Sequence, residues 1–242
     1  MADPLGIVTY RRREAGLSVI LVLQATIIFV VAPLSATGWL APQIGETFRF
    51  GLAAAAVLTI IRSRLIILLV VGSFALSFAV GFLARSGAAL DIVELTRIGL
   101  VAIFDVAVAA SVARTVFGPG DVTFHRIMGG VILYLSVGLI FANVYRAASI
   151  LLHPALSGLA PDHRGAMSDL LYFSFGTLTT VGAPGIAPIH PFVRSLSNLE
   201  AVIGQLYPPT LLGRLVTLHV ARGLDARAAE REGGDTAEGE GN

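Results

Sequence analysis

Charge is scarce in this sequence and cysteine is missing. Of 242 residues, 14% are charged and 55% hydrophobic, too little charge to cover the surface of a soluble domain of this length. Without cysteine there are no disulfides and no thiolate metal sites. Lysine is missing as well, so all 17 basic residues are arginine. A net charge of +1 carries no nucleic-acid signal. The histidines, His125, His153, His163, His190 and His219, show no i,i+4 or metal-type pairing. No nucleophile and base fall into a pattern that marks an enzyme, so neither catalytic residues nor a cofactor or metal centre are expected. The two halves share no internal repeat, which argues against an inverted-repeat transporter. A voltage sensor needs arginine at every third position; here Arg97 and Arg114 stand far apart with Asp105 between them.

Long apolar stretches are what the sequence has instead. Leu17 to Gly45 and Leu65 to Ala84 hold no charged residue, and about 20 such residues suffice to cross the hydrocarbon core. Arg11, Arg12 and Arg13 precede the first block in the manner of a signal peptide. That block is too long for one, contains Pro33 and is followed by comparable blocks, so it reads as a retained span from Leu17 to Ala36. A second span, Phe50 to Ile61, is short unless extended back to Ile44, which takes Glu46 and Arg49 to the interface. Arg62-Ser63-Arg64 separates it from a third, Leu65 to Ala84. A fourth, Ile92 to Phe117, carries Glu94, Arg97 and Asp105 and ends at Gly118-Pro119-Gly120. The fifth runs from Thr123 to Leu152 and the sixth from Leu196 to Ala221. Arginines at the loops and ends, among them Arg62, Arg64, Arg114, Arg126, Arg214 and Arg222, alternate to one side. The positive-inside rule makes that side cytoplasmic, with both termini inside a multi-pass cell-membrane protein. Residues 223–242 are small and acidic and read as a disordered cytoplasmic tail.

The segment between the fifth and sixth spans has a different character. His153 to Ala166 is polar and rich in proline and glycine, an exposed loop. Ser168 and Asp169 then open a short apolar helix, Leu170 to Leu178, with Ser168 as N-cap and Asp169 in the first turn. A helix of about ten residues, ~15 Å long, enters a membrane without crossing it. It runs into Thr179-Thr180-Val181-Gly182-Ala183-Pro184-Gly185.

A half-length helix leading into Thr-Thr-Val-Gly between two spans resembles the pore helix and selectivity filter of potassium channels. Around it, His125-Arg126-Ile127 and Ile140-Phe141-Ala142-Asn143 look like the outer pore helix of the small bacterial channel family. Leu199-Glu200-Ala201-Val202-Ile203-Gly204-Gln205-Leu206-Tyr207 looks like its inner helix. The resemblance implies an all-α membrane protein of six transmembrane helices, with a bundle over 1–120 and a pore domain over 121–222. It also implies a lipid-embedded homotetramer. Thr179 to Gly185 would be the filter, with a monovalent cation, K+ by the resemblance, held transiently at Thr180, Val181 and Gly182.

The residue types fit that chemistry. A dehydrated cation needs several oxygen ligands, and consecutive carbonyls face one axis only where right- and left-handed backbone alternate. Glycine, here Gly182, supplies the left-handed position cheaply. The Thr180 hydroxyl offers a further oxygen at the inner mouth. The family pattern continues Gly-Tyr-Gly-Asp, whereas this chain has Gly182-Ala183-Pro184-Gly185. Ala183 loses the ring packing of the tyrosine, and Pro184 is locked near φ −65° and cannot turn left-handed. The inner half of the filter is therefore expected to survive and the outer half to depart from standard geometry.

Other positions carry two readings each. Pro208 and Pro209 are a bend at a cytoplasmic gate or a tolerated kink, and Gly204 is a hinge or a close-packing residue. Asp105 is expected to face the bundle interior and to pair with Arg97 or Arg146. Glu200 is either a buttress behind the filter, bonded to Ser or Thr, or a helix-start carboxylate favoured by the dipole; the second is slightly preferred. The expected function is passive cation transport with altered selectivity or conductance. The competing classes are a non-conducting membrane scaffold or sensor that keeps the channel fold, and a polytopic enzyme or transporter.

Overall fold

The computed structural model describes residues 16–39, 48, 51–52, 55, 64–83, 90–117, 124–160 and 163–213. The expected second span (isolated positions apart), the Gly118-Pro119-Gly120 break, the end of the sixth span and the acidic tail lie outside the described residues. What is described is almost entirely helical. Helix α1 covers Gly16–Ala36, α2 Arg64–Leu83, α3 Leu90–Val116 and α4 Phe124–Leu151. Strand β1 (Leu156–Ser157), helix α5 (His163–Leu178) and strand β2 (Ala187–Pro188) follow, and α6 occupies residues 191–213. Among the described residues, two helices are long and apolar enough to cross a membrane: Gly16–Ala36 and Ile127–Leu151.

Pro33 does not end α1, because the helix changes register ahead of it. Residues Ile27–Val31 form a π-helical segment in which the Ala32 N–H reaches back to the Ile27 carbonyl. The wider turn absorbs the missing proline N–H without breaking the chain. The helix closes on Gly38 at φ +79°, its N–H on Ser35 O at 3.2 Å, a left-handed stop of the kind glycine favours.

One apolar core joins α1 to α4: Ile20 and Ile27 meet Val70, Phe104, Val108, Val112 and Ile132. A second joins α1 to α5, where Ile28 packs with Leu135, Leu139, Ala142 and Leu171 and the Phe29 and Phe175 rings lie 6.1 Å apart. The first helix thus sits directly behind α5. Gln24 is buried between α1 and α4, with Nε2 donating to Ser136 Oγ at 3.0 Å and Oε1 left without a donor.

Two sequence expectations are corrected on the way to α5. The helix starts at His163, not at Leu170, so it has 16 residues, about 24 Å. The apolar run marks only its hydrophobic part; the polar turn before it is helical too. Asp169 is consequently mid-helix, and it ties down the incoming loop by accepting the Ala160 N–H at 2.7 Å. His153 to Ala166 is likewise not wholly an exposed loop. Ala155 is buried, and β1 pairs antiparallel with β2, Leu156 opposite Pro188 and Ser157 opposite Ala187.

Candidate functional site: the loop after helix α5

Helix α5 ends at Leu178, and each carbonyl of its last turn has a partner. Phe175 O accepts from the Thr179 N–H at 3.0 Å and from the Thr179 hydroxyl at 2.6 Å. Gly176 O accepts from the Gly182 N–H at 2.9 Å, Thr177 O from the Thr180 N–H at 3.0 Å, and Leu178 O from the Tyr134 hydroxyl at 3.1 Å. These are the groups a helix C-terminus normally leaves to solvent.

Beyond the helix the pattern reverses. No donor among the described residues reaches the carbonyls of Thr180, Val181 or Gly182. Thr179 through Gly182 are exposed, Val181 to 83%. Thr180 stands at φ +59° and Gly182 at φ +85°, so left-handed backbone recurs at alternate residues. Glycine takes that conformation freely, whereas a β-branched threonine gives up ~1–2 kcal/mol.

The run of open acceptors stops at Ala183, whose carbonyl takes the Ile186 N–H at 3.1 Å. Pro184 then occupies the first central position and Gly185, at φ +91°, the second, as a type II turn requires. The outgoing strand is fastened down: the Ile189 and His190 N–H groups share Ala155 O at 2.9 and 3.2 Å, and Arg194 Nε donates to Pro188 O at 3.0 Å. Ala183, half-buried, packs with Ile186 against the cluster of Tyr145, Leu170, Phe173 and Val193.

Helix α6 passes this loop at backbone contact. A Cβ on Gly204 would stand 1.8 Å from the Leu178 carbonyl oxygen, and one on Gly176 would stand 2.5 Å from Gly182 O. Gly204 is therefore where two backbones touch. The next residue, Gln205, donates its Nε2 to Thr180 Oγ at 2.9 Å, while the Thr180 hydroxyl donates to Thr179 O at 2.7 Å. Pro208 and Pro209 are exposed on α6, which runs on as helix to residue 213.

Glu200 differs from the preferred sequence reading. It is not a solvated helix-start carboxylate but lies in the third turn of α6, fully buried at 0% exposure. Oε2 accepts the Tyr145 hydroxyl at 2.6 Å, and Oε1 accepts from Ser174, whose hydroxyl proton is shared with Gly138 O at 2.8 Å. One carboxylate thus binds α4, α5 and α6 together behind the loop.

Asp105 and Arg97 belong elsewhere, to the contact between α3 and α4. Asp105 is buried there, and its Oδ2 accepts from Asn143 Nδ2 at 3.0 Å. Arg146 pairs with Glu94, and Arg97 reaches the same carboxylate at 3.5 Å from within its own helix. Sequence reasoning missed Tyr145, Ser174 and Gln205 as parts of the site. The signal available was polarity inside otherwise apolar helices, where a polar side chain faces protein or water by default.

No protein-family model matches the chain, and no curated protein or solved structure matches it, so the functional reading rests on this geometry.

Proposed function

We propose that the chain is one subunit of a membrane pore for passive flux of a monovalent cation, potassium first, assembled as a homotetramer around residues Thr179 to Gly185. The observation that carries the reading is the run of backbone acceptors at Thr180, Val181 and Gly182, exposed at the end of a partly buried helix and without a donor among the described residues. Each unsatisfied backbone group costs several kcal/mol in hydrocarbon, so irregular backbone at membrane depth persists only where protein covers it or water reaches it. Carbonyls aimed at a cation meet the second condition. Leu199, Val202 and Leu206, exposed on α6 beside the loop, supply apolar surface for neighbouring copies, and a closed ring needs rotational symmetry. Six spans with cytoplasmic termini, a bundle over 1–120 and a pore domain over 121–222 belong to the same reading.

The test is reconstitution of the full-length protein into proteoliposomes. Potassium flux above that of empty vesicles, from a species of four copies by cross-linking, is expected; a monomer without flux would remove the reading.

A second reading, a non-conducting scaffold or sensor, is favoured by one specific observation: the Ala183–Ile186 turn takes the outer half of the loop out of any repeating carbonyl array. Single-channel recording separates the two. If the turn alone blocks conduction, Ala183→Tyr with Pro184→Gly restores potassium current.

A further inference from the structure

Thr180 is the one non-glycine residue at positive φ among the described residues. A β-branched side chain in that conformation relaxes unless the surroundings over-determine it. Two of its bonds are local. The N–H on Thr177 O and the hydroxyl on Thr179 O move with the loop and restrain it weakly. The third comes from a different element, the Gln205 amide at 2.9 Å. Gln205 is exposed between the apolar Val202 and Leu206 on the same stretch of α6, and no described partner other than Thr180 accounts for its polarity. Its base sits close to the loop, because Gly204 lies in backbone contact with Leu178 O. The amide thus reaches Thr180 only while α6 keeps that close approach.

We propose that Gln205 is a positioning residue: its amide holds Thr180 left-handed, and the height and rotation of α6 at this level set the conformation of the loop. The consequence for ion flux rests on the pore reading; the conformational claim does not. Movement of α6 withdraws the amide, Thr180 relaxes toward extended backbone, and the carbonyls from Thr180 to Gly182 lose their alternation. The loop is then switched from beside it.

The chain contains a single Thr-Thr pair, Thr179-Thr180. Uniform threonine labelling with 13C and 15N therefore isolates one carbonyl-to-nitrogen correlation, that of Thr180, in solid-state NMR of the full-length protein in lipid. In the native protein its Cα shift falls in the left-handed range. In Gln205→Met, which keeps the side-chain volume and removes the donor, it moves to the extended range. Potassium flux falls by about tenfold, the size of the left-handed penalty at one residue. Thr180→Gly, which removes that penalty, makes flux insensitive to Gln205→Met. An unmoved Thr180 signal overturns the proposal whatever the currents do. A moved signal in a protein that never conducts leaves the proposal standing and sinks the pore reading. Should Gln205→Met alone fail to fold, recovery of folded protein in the Gln205→Met/Thr180→Gly pair supports the proposal, and an equally unfolded pair overturns it.

Discussion

Replacing Gly204 with alanine separates two roles for this residue, a flexible hinge and a packing contact. A methyl group at 204 would lie 1.8 Å from the Leu178 carbonyl oxygen, 2.7 Å from its carbon and 3.1 Å from its Cα. All three are backbone atoms, so no side chain can rotate away. To reach ordinary contact the helices must part by about 1.5 Å, an overpacking cost at the upper end of the usual ~1–3 kcal/mol. The same displacement stretches the Gln205–Thr180 bond from 2.9 Å beyond hydrogen-bonding range. Gly204→Ala is therefore expected to lower the unfolding midpoint in detergent by about 6–12 °C. The matched control is Gly99→Ala on α3, where nothing lies within 4 Å of the added carbon. Alanine there is neutral or stabilising by up to ~1 kcal/mol, since helical glycine carries an entropy cost. If the two variants unfold alike, the packing argument fails and Gly204 is free to bend.

Three further variants test the polar contacts. Tyr145→Phe strips Glu200 Oε2 of its donor at 2.6 Å and is expected to cost about 1–3 kcal/mol in a denaturation series; an unchanged midpoint would show that the buried carboxylate finds another partner. Gln24→Leu removes an amide whose oxygen has no donor while Ser136 keeps its bond to Ile132 O at 2.9 Å, so stability is expected to stay within about 1 kcal/mol of the native protein. Arg146→Leu is expected to destabilise by about 1–2 kcal/mol, because its pairing with Glu94 crosses between α3 and α4. Arg97→Leu, which loses only an i,i+3 contact at 3.5 Å, should cost about 0.5 kcal/mol or less. The ratio of the two midpoint shifts is the readout.

Helix boundaries were legible where apolar runs meet turn residues. The expected span from Ile92 to Phe117 corresponds to Leu90–Val116, and that from Thr123 to Leu152 to Phe124–Leu151, because Gly118-Pro119-Gly120 and His153-Pro154 punctuate the chain on either side. The start of α5 was misplaced because His163 to Met167 is too polar to look like the helix it begins. Pairings across helices were harder to read. Glu200 needs Tyr145 and Ser174, 55 and 26 residues away, and nothing in a linear pattern says that three helices converge on one carboxylate. For Asp105 the sequence reading considered charged partners alone, and the Asn143 amide that also reaches its Oδ2 carries no charge to mark it in a linear pattern.

The residues that break the filter-like pattern act together. Pro184 supplies the fixed φ of a turn's first central position, Gly185 the left-handed second, and Ala183 is small enough to place its methyl against the Tyr145 cluster while its carbonyl turns to the Ile186 N–H. Restoring glycine at 184 alone would leave Gly185 and the β1–β2 pairing still favouring the turn, which is why the paired change at Ala183 is needed. On the pore reading, an ion leaving Gly182 meets water one residue further out, so coordination is confined to the carbonyls of Thr180, Val181 and Gly182. Discrimination by consecutive dehydrated sites weakens as the number and order of coordinating carbonyls fall. The turn and the pairing of β1 with β2 would hold the loop in place while shortening that array. On that reading, weak discrimination between potassium and sodium would follow from a well-ordered loop, with no disorder required.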